Sequence, residues 1–135
     1  YPLKYAQNTS TNNENSPLVL IVHTHGTECY SPENTASYTE DTPTRLYDTN
    51  NNVVAVGKVL ADTLNSNNIP TIQCETMFDA ESYSNSYILS EKAIQEYIEK
   101  YPSIQYVFDV HRDSIVRTEN EKIIRAIGNV SCVEV

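Results

Sequence analysis

Three short apolar runs alternate with two stretches in which apolar residues recur at helical spacing. The runs are Leu18–Val22, Thr71–Cys74 and Ile104–Val110. Each follows shortly after a proline (Pro17, Pro70 or Pro102), and proline is tolerated at the start of a strand because its missing N–H need not pair there. Between the first two runs, Val53, Val56, Val59, Leu60 and Leu64 recur every three to four residues. That spacing predicts a helix over about 52–66, stopped by Asn65-Ser66-Asn67-Asn68. Between the second and third runs, Tyr87, Ile88, Ala93, Ile94, Tyr97 and Ile98 predict a helix over about 86–100, ended by Pro102. Strand–helix–strand–helix–strand is the signature of a parallel sheet with right-handed crossovers. The fold class is therefore α/β, a mostly parallel sheet flanked by helices. The three runs are expected as parallel neighbours, with the third, the most apolar, in the centre.

The ends of the chain carry less pattern. Residues 1–16 are rich in Asn, Ser and Thr and read as a linker or arm, leaving 17–135 as the domain. Past Asp113, Lys122–Ile127 and Val130–Val135 are expected as two further strands, in a hairpin around Gly128-Asn129. The chain stops inside the apolar segment Val133-Glu134-Val135, so the domain is expected to continue beyond it, which would make this a C-terminally truncated piece. Residues 29–50 form a long loop rich in Thr, Asn, Pro and Tyr, and loops of that length are usually functional or mobile.

Composition narrows the class. A chain of 135 residues is enough for one domain with a core. With 39% hydrophobic residues and a net charge of −9, it is expected to be a soluble acidic domain. No cationic patch is present to neutralise phosphates, which argues against a nucleic-acid partner. No apolar stretch approaches bilayer length. The chain starts without Met and without a signal-like segment, so any membrane anchor is expected outside it. Cys29, Cys74 and Cys132 are odd in number and widely spaced; they form no C-x-x-C pair and read as buried thiols.

All three histidines fall where a buried run stops. The first run ends in His23-Thr24-His25-Gly26-Thr27-Glu28, and the third in His111-Arg112-Asp113. In open α/β sheets ligands bind outside the carboxyl ends of the strands. H-x-x-E lets one tight turn present the His25 imidazole and the Glu28 carboxylate to a single ion, and His111 from a second strand completes three ligands. Three protein ligands and one open position make the catalytic zinc arrangement. His23 lies two residues before His25 and points the same way if the chain stays extended, so a three-histidine site is an alternative. Asp48, ahead of the first helix, is a third acid that can reach the same edge. Asp109, Arg112 and Asp113 either form a solvated ion-pair cluster or act around the ligands, orienting His111 or gripping a substrate carboxylate. Most of the ten tyrosines read as half-buried packing, while Tyr30, Tyr38, Tyr83 and Tyr87 can line a polymer groove.

Four segments, in order and at matching spacing, carry a family resemblance. They are HTHGTE at 23–28, Asn52-Val53-Val54-Ala55-Val56-Gly57, Tyr83-Ser84-Asn85-Ser86-Tyr87, and the stretch from Tyr101-Pro102-Ser103-Ile104 to Asp109-Val110-His111-Arg112-Asp113. Together they resemble the stage II sporulation protein P family over roughly residues 17–135. The resemblance implies a fold similar to zinc-dependent N-acetylmuramoyl-L-alanine amidases and exopeptidases. It implies peptidoglycan hydrolysis, as amidase and endopeptidase, in the cell wall degradation of forespore engulfment. It also implies an N-terminal membrane anchor, an extracytoplasmic location at the septal and engulfing membrane, and a partner like the lytic transglycosylase stage II sporulation protein D. His25 and His111 match the two histidines that would hold Zn2+, and Glu28 matches the acid following the first of them. A likeness to zinc carboxypeptidases favours Glu28 over Asp48 as third ligand. Amidases of this type use a glutamate near the C-terminus of the domain as general base, and the matching segment is expected past residue 135, so this chain alone is expected to hydrolyse peptidoglycan poorly. The alternative function is a catalytically inactive peptidoglycan-binding domain of the same fold; a scaffold for protein partners is a third.

Overall fold

A computed structural model describes residues 16–30 and 43–112, and the backbone of 128–134. Residues 1–15 of the expected arm, Tyr38, Asp113 and the expected strand Lys122–Ile127 lie outside the described residues. The first strand, β1, is Val19–Val22; helix α1 is Val53–Ser66; β2 is Thr71–Gln73; helix α2 is Ser86–Lys100; β3 is Tyr106–Arg112; and β4 is Gly128–Glu134. A single 3-10 turn, Tyr83–Asn85, leads into α2.

The strand order is β2-β1-β3-β4. β1 pairs parallel with both β2 and β3, with Leu20 opposite Ile72 on one side and Val107 on the other. The expected parallel pairing is thus present, but the centre of the three parallel strands is β1, not the third run; β3 is interior because β4 adds to its other edge. The expected hairpin at Gly128-Asn129 is not. Those residues begin β4, which runs antiparallel along β3 with Gly128 opposite Arg112 and Asn129 opposite His111. A Gly-Asn pair is only a local turn preference, and here a seven-residue ladder onto β3 overrides it.

Each strand of the parallel core is covered on both faces, which is why it reads as an unbroken apolar run. Alternation along β1 divides its side chains between two layers. Val19 and Ile21 pack with Ala61, Leu60 and Leu64 of α1. Leu20 and Val22 pack with Ala93, Ile94, Tyr97 and Ile98 of α2. The helices therefore lie on opposite faces, because one crossover leads outward from β1 to β2 and the next returns past β1 to β3. This strand order places the switch point of the sheet between the carboxyl ends of β1 and β3.

Local chemistry sets the helix ends. The Asn52 side chain accepts from Val54 N–H at 3.0 Å and caps α1. At the other end Asn68 takes a φ of 61°, a left-handed conformation that Asn tolerates better than most residues. Glu28 and Cys29 form single bridges to Arg45 and Asn52, so the described parts of the long 29–50 segment lie against the HTHGTE turn. Cys29 and Cys74 are buried free thiols.

Candidate metal centre at the carboxyl edge of the sheet

The turn Thr24–Thr27 decides where each histidine goes. His23 continues the alternation of Val19 and Ile21 onto the α1 face. It is fully buried, its Nδ1 lies 3.2 Å from Val110 O, and its Nε2 lies 2.9 Å from Gln73 Nε2. Burial holds its pKa below the ordinary value. After His23 the chain turns, and His25 crosses to the opposite layer. There it stacks on Tyr83, with ring centroids 4.4 Å apart and planes 6° apart, and meets Tyr87 edge-on. The two imidazoles would share a side only in an extended chain, and the turn prevents that. His23 is a buried tie between β1, β3 and β2, beside Gly57 of α1.

His25, Glu28 and His111 come together. The His25 and His111 ring centroids are 5.4 Å apart. Two imidazoles ligating one tetrahedral zinc at about 2.0–2.1 Å hold their centroids about 5 Å apart, so this separation fits. His111 Nδ1 lies 3.8 Å from Glu28 Oε2, and His111 Nε2 lies 2.9 Å from Asp109 Oδ2. The Asp109 hydrogen bond, seconded by Glu28, raises the His111 pKa to about 10. Burial pushes Glu28 upward, but the nearby His111 imidazole and the hydrogen bond from the Arg112 backbone N–H (2.8 Å) outweigh that and leave it low. Burial, only partly offset by Glu28, keeps the His25 pKa below its usual value and its ring neutral near pH 7.

His25 Nε2 is buried and has no hydrogen-bond partner. An unsatisfied buried nitrogen of this kind costs about 1–3 kcal/mol. A cation bound by His25, Glu28 and His111 would satisfy it, and two imidazoles with one carboxylate are borderline-soft donors suited to zinc. Among the described residues, no three His, Cys, Asp or Glu side chains are yet gathered around one point as metal ligands.

Asp48 goes elsewhere. Its carboxylate is fully exposed and turned onto its own loop, accepting from Asn50 N–H at 3.0 Å and Asn51 Nδ2 at 2.7 Å. Arg112 is buried; its guanidinium donates to Thr44 O at 2.7 Å, while its backbone N–H holds Glu28. Tyr83 and Tyr87 flank the site as exposed residues, and Tyr30 is at the margin of exposure.

Sequence reasoning missed Asp79 and Arg45. Asp79 has no exposed side-chain surface, accepts from Thr27 N–H (3.1 Å) and Oγ1–H (2.6 Å), and lies 4.0 Å from His25 Nδ1. Arg45 pairs with Asp79, reaches Glu28 at 4.0 Å and covers the Tyr83 ring. An acid in the Met77-Phe78-Asp79 segment just past the second apolar run was the one available hint of the first. No local signal marks Arg45. Gly26 permits this packing, since a Cβ there would lie 2.9 Å from the Met77 Cα.

These features define an α/β domain with an imidazole–carboxylate site at the switch point of its sheet. Residues 3–132 match the sequence profile of the family described as Stage II sporulation protein P, and the chain belongs to that family. Membership carries a role in sporulation. Stage II sporulation protein P of Bacillus subtilis (strain 168) is 29% identical over 103 residues, covering 72% of this chain. The match spans 25% of that relative's length. No solved structure matches the chain.

Proposed function

We propose that this chain forms part of a zinc-dependent peptidoglycan hydrolase, an N-acetylmuramoyl-L-alanine amidase that also acts as an endopeptidase on stem-peptide cross-links during forespore engulfment. The observation that carries the reading is the buried, unpartnered Nε2 of His25 beside Glu28 and His111. Family membership supports it. His25, Glu28 and His111 would hold the metal, and Asp109 would orient His111 through its other nitrogen. When bound, zinc would polarise a carbonyl and lower the pKa of an attacking water to about 7. The half-exposed rings of Tyr83 and Tyr87 offer apolar faces to a polymer passing the site. Arg45, in reach of Glu28 and Asp79, supplies positive charge at the rim for anionic groups of the substrate.

The reading includes an extracytoplasmic location, membrane attachment through a segment outside this chain, and a lytic transglycosylase partner like stage II sporulation protein D. No described helix is long and apolar enough to cross a membrane. One observation favours a second reading, a non-catalytic peptidoglycan-binding domain: both His111 nitrogens lie against carboxylates, Nε2 2.9 Å from Asp109 Oδ2 and Nδ1 3.8 Å from Glu28 Oε2. The deciding experiment digests purified peptidoglycan with the zinc-supplied full-length protein and analyses the products by mass spectrometry. The amidase reading expects released stem peptides with a free L-alanine N-terminus, lost on His111→Ala. Binding to peptidoglycan with no product would favour the second reading.

A further inference from the structure

The residue between the two histidines of the HTHGTE turn has its own role. Thr24 is 1% exposed and grips both oxygens of one carboxylate. Its backbone N–H donates to Asp109 Oδ1 at 2.9 Å, and its hydroxyl donates to Oδ2 at 2.6 Å. The terminal torsion of an aspartate is broad and soft, so a free carboxylate samples many orientations. Two donors from one residue remove that freedom. The fixed Oδ2 is the atom that faces His111 Nε2 at 2.9 Å. With Nε2 occupied, Nδ1 is the nitrogen turned toward Glu28, 3.8 Å away. With its own proton on Asp109, the Thr24 hydroxyl oxygen can accept from Ser90 Oγ of α2, 2.8 Å away.

We infer that Thr24 is a positioning residue: by clamping the Asp109 carboxylate it sets the His111 ring so that Nδ1 faces the cluster formed with His25 and Glu28. The chain Ser90–Thr24–Asp109–His111 thus ties α2, the β1 turn and β3 into one support. Partners of this kind, one step behind a metal-bound imidazole, fix ring orientation and raise ligand basicity. The inference rests on reading the cluster as a metal centre, but the ring orientation exists without the metal.

The test uses the 135-residue chain as Thr24→Val, which keeps the shape and removes the hydroxyl, and Thr24→Ser, which restores it. Thr24→Ala serves if the valine variant fails to fold. Two readouts are needed. The first is the NMR signal of the His111 Nε2 proton in the metal-free chain, protected in the parent by its bond to Asp109. The second is zinc affinity by calorimetry. Thr24→Val is expected to lose the protected proton signal and to bind zinc about 10–100-fold more weakly, as loss of such partners typically does. Thr24→Ser is expected to keep both. If the parent binds no zinc while Thr24→Val still loses the signal, the positioning role stands and the metal reading falls. Unchanged signal and affinity in Thr24→Val, or failure of serine to restore them, would overturn the inference.

Discussion

The Tyr83 ring lies flat on the His25 imidazole, with centroids 4.4 Å apart and planes 6° apart. One partner comes from the β1 turn and the other from the 3-10 turn before α2, so the pair fastens one end of α2 to the site. Aromatic pairs contribute about 0.5–1.5 kcal/mol beyond their buried area. Tyr83→Ala is expected to lower unfolding free energy by about that amount, and Tyr83→Phe to leave it nearly unchanged, by urea denaturation of the metal-free chain. Equal losses in both variants would show that the hydroxyl, not the stack, matters.

Gly57 lies where α1 meets His23. A Cβ there would fall 2.4 Å from His23 Cε1 and 2.7 Å from Gln73 Nε2. His23 cannot retreat easily, because it is fully buried and tied to Val110 O. Alanine is the better helix former, by about 1 kcal/mol, yet overpacking of this kind typically costs about 1–3 kcal/mol. Gly57→Ala is expected to be net destabilising in denaturant unfolding. A stabilised variant would show that the helix can shift outward without loss.

Stability of the metal-free chain should depend on pH through its three histidines and the two acids beside His111. The His111 pKa is raised from 6.5 to about 10 by Asp109 and Glu28. Its contribution is therefore complete below pH 6.5 and disappears as pH rises through about 10. Glu28 and Asp109 are buried, which raises them, but their hydrogen bonds hold them below 4.5 and 3.8, respectively. Their contributions are complete above those values and are lost as pH falls further. Unfolding free energy is expected to peak near pH 6.5: protonation of the buried His23 and His25, whose pKa values are lowered from 6.5, costs stability as pH falls below that value, and loss of the His111 proton costs it as pH rises toward about 10. In His111→Asn the alkaline decline should shrink; if it persists unchanged, His111 is not its source.

The parallel core and its helices were legible because their signals are local. Val19 to Val22 are buried on both faces, so they read as a continuous run, and α1 shows its apolar face at helical spacing. The convergence of His25, Glu28 and His111 followed from one rule, that strand ends of a parallel sheet share an edge. What was not legible depends on the path of the backbone between elements. His23 and His25 part company because of a turn no periodicity reveals. Asp48 folds back on Asn50 and Asn51 through its own side-chain bonds. Asp79 reaches Thr27 across 52 positions, and Arg45 reaches Asp79 across 34. The expected strand Val130–Val135 falls within β4 up to Glu134, but the strand starts earlier, at Gly128, where pairing with β3 outweighs a turn-like dipeptide.

The most direct test of the central claim is metal content. Chain prepared without metal, given Zn2+ and dialysed, should retain about one zinc per molecule by elemental analysis. His25→Ala and His111→Ala should each abolish retention, because two remaining ligands rarely hold zinc against the four-coordinate preference of the ion. Asp48→Ala should retain it in full. Retention of no zinc by the parent chain, or equal retention by the parent and both histidine variants, would contradict the assignment of His25, Glu28 and His111 as a metal centre.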